Sequence, residues 1–183
     1  GGGFGILVDD VFILAYDIFD QEEKRSTVVI RSTDYGETWS QPFRLEISPY
    51  DESGGGWTQI YQHPDGTAML TVTLRHRDKA FKEWDNPQVR GTRDHIFRST
   101  DGGKTWGDRT LLGVHTCETS IFAPRNSKKM LAYIRVQRGR LPQDPVDLKD
   151  KTGAKENSFW AVKNGAIAES HDNGRTWENL RLF

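Results

Sequence analysis

Two charged residues stand out by position. Glu118 opens one strand-like run and Arg135 closes the next, so antiparallel pairing of those runs would bring both to the same edge of a sheet. A guanidinium matches a carboxylate in geometry, which suits Arg135 to a ligand's carboxylate. It suits Arg135 equally to Glu118 itself, and rim ion pairs of that kind are common and contribute little. One unit earlier, Trp57 and Arg75 hold the matching positions. There an indole can wedge between layers or stack on a sugar, and the arginine can serve structure or substrate. Trp84 and Trp160 fall in polar stretches, where a tryptophan either anchors a loop or offers a flat face to a sugar ring.

Other chemistries find little support. The histidines at 63, 76, 95, 115 and 171 show no metal-ligand spacing, and Cys117 is the only cysteine, so neither a disulfide framework nor a cysteine metal cluster is expected. Gly103-Lys104-Thr105 ends like a phosphate-binding loop, but Arg98 occupies the place of its first glycine. The 183 residues carry 25 Lys+Arg against 26 Asp+Glu, a net charge of −1, which provides no basic field for nucleic acid. The longest strongly apolar run, Val11 to Tyr16, is too short to span a bilayer.

The elements that must position these residues repeat. Residues 32–39, 99–106 and 170–177 all read S-x-D-x-G-x-T-W. Their aspartates, Asp34, Asp101 and Asp172, fall 67 and 71 residues apart. Five fixed positions recurring three times at a nearly constant period mark a repeat architecture. The residue types describe a turn. Each aspartate can accept backbone N–H groups just downstream, and Gly36, Gly103 and Gly174 sit where a positive φ is expected. Trp39, Trp106 and Trp177 then carry large apolar surfaces toward a core, with the indole N–H needing an acceptor.

Strand-like runs flank every box, and a second pair lies upstream of each. No stretch carries a sustained helical period. Four strands per unit in three units predict an all-β chain of propeller blades, approximately 1–49, 50–114 and 115–183. In such blades the boxes join strands 3 and 4. The loops between strands 2 and 3 lie on the opposite face and lengthen along the chain, and long loops gathered on a rigid scaffold are where ligands usually bind. Glu118, Arg135, Trp57 and Arg75 border that face.

The boxes resemble the Asp boxes, or BNR repeats, of the sialidase family, and the chain resembles three blades of a six-bladed sialidase-like propeller. A fragment of a longer chain is expected, with the ring closed by flanking sequence or by a second copy. The stretch Glu118-Thr119-Ser120-Ile121 followed by Leu131-Ala132-Tyr133-Ile134-Arg135 is similar to the family segment that supplies a glutamate beside the tyrosine nucleophile and one substrate-binding arginine. Residues 126–129 replace the more usual Asp-Gly turn, and the family's Arg-Ile-Pro opening is absent. If the chain starts at the first blade, Asp20 would serve as acid/base. If it starts at the second, the preferred register, Glu118 falls in the fourth blade where the family carries its glutamate. The resemblance implies an exo-acting hydrolase that removes terminal sialic acid with retention and without a cofactor, in a secreted or periplasmic setting. The alternative is a non-catalytic Asp-box propeller that binds carbohydrate or protein. A hydrolase of another glycan, using paired carboxylates, is the third possibility.

Overall fold

The computed structural model describes residues 4–22, 24–54, 58–76, 91–124, 129–140, 144–153 and 161–182. These form three antiparallel sheets in succession. The first comprises β1 (Phe4–Val8), β2 (Val11–Phe19), β3 (Arg25–Ser32) and β4 (Phe43–Arg44), in that order. The second is built around β7 (Ala68–Arg75), which pairs at one end with β5 (Glu52–Ser53) and further along with β6 (Gln59–Gln62); β8 (Arg93–Ser99) and β9 (Gly107–Val114) complete it. The third runs β10 (Thr116–Phe122), β11 (Met130–Arg138), β12 (Val162–Ser170) and β13 (Glu178–Leu182). β6 lies against both β1 and β10, so the first strands of the three sheets converge. This is the blade arrangement of a partial sialidase-like propeller. Outside the sheets a five-residue helix, α1 (Leu148–Thr152), sits in the β11–β12 connection, an element too short to leave a helical period in the sequence.

Apolar side chains pack between the sheets. Ile13, Ala15 and Val29 of the first sheet meet Leu70, Val72 and Phe97 of the second in one cluster. Met69 and Ile96 meet Ile121, Met130 and Ile134 in the other. Alternation along β7 explains this: Leu70 and Val72 face one neighbour and Met69 the other, so the middle blade is buried on both sides.

The box turns are built by their own polar groups. The Asp101 carboxylate accepts the Ser99 hydroxyl at 2.8 Å, the Lys104 and Thr105 N–H groups at 3.0 Å each, and the Thr105 hydroxyl at 2.6 Å. Ser99 Oγ in turn accepts the Gly103 N–H at 2.9 Å. Asp172 repeats the pattern with Ser170, Arg175 and Thr176, and Asp34 with Ser32 and Thr38. Gly36, Gly103 and Gly174 have φ of 92°, 79° and 73°.

The tryptophans divide. Trp106 is buried in the cluster shared with the first blade, and Trp177 packs on the cluster shared with the second. Their indole N–H groups donate to the Gly103 and Gly174 carbonyls, each at 3.2 Å. Trp39 departs from the expected burial and is 41% exposed. Trp106 and Trp177 each pack on the blade before their own, and among the described residues none lies on that side of the first blade. The strand expected over Phe43 to Ile47 is likewise reduced to Phe43–Arg44.

Candidate functional site

The antiparallel order puts the Asp boxes and the β1–β2 turn on one face, and the β2–β3, β7–β8 and β11–β12 connections on the other. β10 carries Glu118 at the second face. There the register slips: Cys117 pairs with Arg135 and Ser120 with Tyr133, so Glu118 and Thr119 together oppose Ile134. A bulge of this kind re-aims a side chain. Glu118 adopts φ of 57°, a left-handed conformation that costs a non-glycine residue about 1–2 kcal/mol. The strain is sustained at the residue whose carboxylate meets Arg135.

Glu118 Oε2 lies 2.6 Å from an Arg135 terminal nitrogen, with the two side chains 24% and 34% exposed. The other terminal nitrogen of Arg135 donates to Gln137 Oε1, two residues along the same strand face. The guanidinium is therefore held between two side chains, and each terminal nitrogen retains one N–H beyond these contacts. Arg135 does not close its strand as expected, because β11 runs on to Arg138. Arg135 Nε is buried and lacks a partner. Cys117 pairs with Arg135 across the strands and is 8% exposed, its Sγ 3.9 Å from the Arg135 carbonyl oxygen. Burial pushes its thiol pKa up, which makes it a poor nucleophile.

Arg75 is not the counterpart of Arg135: Ala68 and Met130 each pair with the first serine of a box, so Thr73 matches Arg135 and Arg75 matches Gln137. Arg75 ends β7, where its Nε donates at 2.6 Å to Glu52 Oε2. Glu52 is only 2% exposed, and its other oxygen accepts the Arg25 N–H at 3.4 Å. Arg138, the last residue of β11, meets Asp144 of the following connection through both terminal nitrogens, at 2.5 and 2.9 Å. Arg75, Arg135 and Arg138 thus each carry a carboxylate of their own. Asp20 Oδ1 accepts the N–H groups of Glu22 and Lys24 at 2.9 and 2.8 Å, closing the β2–β3 loop. Trp57, Trp84 and Trp160 lie outside the described residues. A concavity of 360 Å³ bordered by Asp20, Lys24, Arg44 and Tyr50 occurs on the β4–β5 crossing, and Glu118 does not line it. Among the described residues there is no group of three or more His, Cys, Asp or Glu able to hold a metal ion, and no helix long and apolar enough to cross a membrane.

One residue that sequence reasoning missed is Asp94. It is 1% exposed in β8, and accepts hydrogen bonds from the Thr73 hydroxyl at 2.7 Å and from the Thr119 hydroxyl. Its own N–H donates to Thr116 Oγ1 at 3.2 Å. Burial pushes its carboxyl up to about 6, against the lowering effect of the threonine hydroxyls, and the Glu118 charge adds to the rise. Glu52 and Gln137 were also missed.

The BNR/Asp-box repeat profile matches residues 30–41 and 97–106. No curated protein sequence matches the chain. Solved structures share the fold. A Penicillium chrysogenum alpha-L-arabinanase complexed with arabinobiose superposes with a TM-score of 0.67 at 14% identity, over 98% of this chain and 48% of that one. A Hadza microbial sialidase gives 0.61 at 17% identity, over 97% of this chain and 32% of that one. A protein of unknown function from Dyadobacter fermentans gives 0.61 at 17% identity, over 100% and 51%. The chain spans about a third to a half of the length of these structures.

Proposed function

We propose that this chain, an Asp-box-repeat propeller of the sialidase-like kind, forms half of a glycan-processing hydrolase, and that the reaction is removal of terminal sialic acid with retention. The observation that carries the reading is the Glu118–Arg135 pair, half-buried at 2.6 Å on the long-loop face and aimed by a strained bulge. In this reading Arg135 binds the substrate carboxylate through its remaining N–H groups, while Glu118 holds the guanidinium in place. Glu118 also draws on the proton of a tyrosine nucleophile, the step that makes such enzymes an exception to the two-carboxylate rule for glycosidases. The tyrosine, the acid/base aspartate and the other arginines come from flanking sequence. Arg75, held by Glu52, borders the site. Trp57, Trp84 and Trp160 supply stacking surfaces to the sugar.

A second reading is favoured by one observation: Arg75, Arg135 and Arg138 are each neutralised by a carboxylate. A face neutralised in this way selects weakly for an anion, and suits hydrolysis or simple binding of a neutral glycan such as an arabino-oligosaccharide. Assays of the full-length protein on fluorogenic sialosides and arabinosides separate the readings. Sialoside turnover that falls at least about a hundredfold in Glu118→Gln and in Arg135→Lys supports the first. Arabinoside turnover selects the second, and glycan binding without turnover selects a non-catalytic module. Full sialoside activity in both variants would remove Glu118 and Arg135 from the site.

A further inference from the structure

Glu118 is a surface-edge residue in a conformation it does not prefer, and its backbone is not held by Glu118 itself. Two buried threonines bracket it. Thr116, 1% exposed, accepts the Asp94 N–H at 3.2 Å, and Thr119, 2% exposed, donates its hydroxyl to the Asp94 carboxylate. The carbonyl of Thr119 is fixed in turn by the Thr71 hydroxyl at 3.0 Å. One residue of the neighbouring blade thus grips β10 on both sides of the bulge. The remaining Asp94 oxygen is anchored to its own sheet through Thr73 at 2.7 Å.

We propose that Asp94 is the positioning residue of the site: by gripping Thr116 and Thr119 from the second blade, it holds the bulge of β10 and aims the Glu118 carboxylate at Arg135 and at the substrate. This rests on the reading of Glu118 as a working residue. Asp94 touches no substrate and acts through Glu118. A carboxylate serves better here than an aliphatic residue because it accepts hydroxyls from two blades at once, joining the bulge to a sheet that is itself fully packed. The site is therefore built across a blade boundary, and its geometry depends on how the second and third blades dock.

The chain's only cysteine is a reporter placed within the grip. Cys117 lies between Thr116 and Glu118, and its reaction with a chromogenic aromatic disulfide reads local opening of the bulge. In the full-length protein, any cysteines in the flanking sequence are first replaced by serine. Asp94→Ala and Thr119→Val are each expected to speed Cys117 labelling at least about tenfold, the scale of a lost buried hydrogen bond. Asp94→Asn keeps an acceptor and the shape, and is expected to stay within about threefold. Leu70→Ala, in the cluster between the first and second blades, weakens the fold without touching the grip and leaves labelling slow. Unchanged labelling in Asp94→Ala and Thr119→Val overturns the proposal, as does Leu70→Ala accelerating it equally. On any substrate the parent hydrolyses, Asp94→Ala lowers kcat about tenfold or more, Asp94→Asn restores it, and Asp94→Ala has no added effect in a Glu118→Gln background. Additive losses would overturn the action through Glu118. A parent without turnover counts against the hydrolase reading alone, and the labelling arms then decide the grip.

Discussion

A buried arginine crosses the joint between the second and third blades. Arg98, the residue before the serine of the second box, is 6% exposed and reaches into the third box. One terminal nitrogen donates to the Asn173 and Gly174 carbonyls at 3.2 and 2.8 Å; the other donates to the Asp108 carbonyl at 2.8 Å and Thr110 Oγ1 at 2.9 Å. Arg31 holds the same place in the first blade, but is half-buried and makes a single bond of this kind, Nε to the Gly102 carbonyl at 3.1 Å. Four charge-assisted bonds at roughly 1.5 kcal/mol each would sum to about 6 kcal/mol. The Gly174 carbonyl keeps two other donors, Trp177 Nε1 and Thr110 Oγ1, so the net cost of Arg98→Met is reduced to about 3–5 kcal/mol. For Arg31→Met the same reasoning gives about 1 kcal/mol. At roughly 2–4 °C per kcal/mol for a chain of this size, melting should fall by about 10 °C for Arg98→Met and about 3 °C for Arg31→Met. Urea titration followed by tryptophan fluorescence checks the free energies, and calorimetry the temperatures. If Arg98→Met costs no more than Arg31→Met, the crossing bonds do not hold the blades together and the reasoning fails.

Three further outcomes follow from the charges. The hydroxyl of Thr38 leads the hydrogen bonds that hold Asp34 at about 2; at Asp101 desolvation works upward, but the bonds from Thr105, Ser99 and Lys104 outweigh it and also leave about 2. Both folded values lie below the ordinary carboxylate value. Their contribution to stability is therefore complete above about pH 4 and lost as pH falls toward 2, and Asp101→Asn should flatten that part of a melting-versus-pH curve. Asp94 has the opposite sign: its folded value is raised to about 6, so its contribution is present below about pH 4 and lost as pH rises through 6, a slope that calorimetry should find missing in Asp94→Asn. At the Glu52–Arg75 pair the two halves are unequal, since Glu52 is buried and Arg75 is 27% exposed. Arg75→Met removes the cation from beside a buried carboxylate and should cost about 3 kcal/mol, whereas Glu52→Gln leaves a cation able to reach water and should cost about 1 kcal/mol by urea titration.

What was legible in the sequence was local. The box hydrogen bonds span at most four residues, so residue type alone defines the turn, and the positive φ of Gly36, Gly103 and Gly174 follows. What was not legible depends on partners far away in sequence. Trp39 has the same local sequence as Trp106 and Trp177, yet it is exposed where they pack on the cluster shared with the preceding blade. β5 is split from β6 by residues 54–58, so Glu52 reads as loop although it pairs with Arg75. The edge shared by Glu118 and Arg135 could be read from strand order. The bulge that aims Glu118 could not, because its cause is Asp94 in the neighbouring blade.

Comparing equivalent positions shows where the blades differ. Phe12, Ala68 and Met130 each pair with the first serine of a box, which makes Asp17, Thr73 and Arg135 equivalent on the second strands and Thr27, Asp94 and Gly165 equivalent on the third. In the first blade the Thr27 hydroxyl donates to Asp17 at 2.9 Å; in the second the same pair is exchanged, with Thr73 donating to Asp94. The N–H groups of Thr27 and Asp94 both donate to a hydroxyl on the next blade, Ser53 at 2.7 Å and Thr116 at 3.2 Å. The third blade keeps its box but abandons the acid–hydroxyl pair, placing Arg135 opposite Gly165. A guanidinium needs length and room, and a glycine partner provides room where Thr27 or Asp94 would stand across from it. The face bearing the boxes is thus uniform because it builds the turn. The opposite layer varies from blade to blade, and the third blade places Arg135, paired with Glu118, where the others hold Asp17 and Thr73.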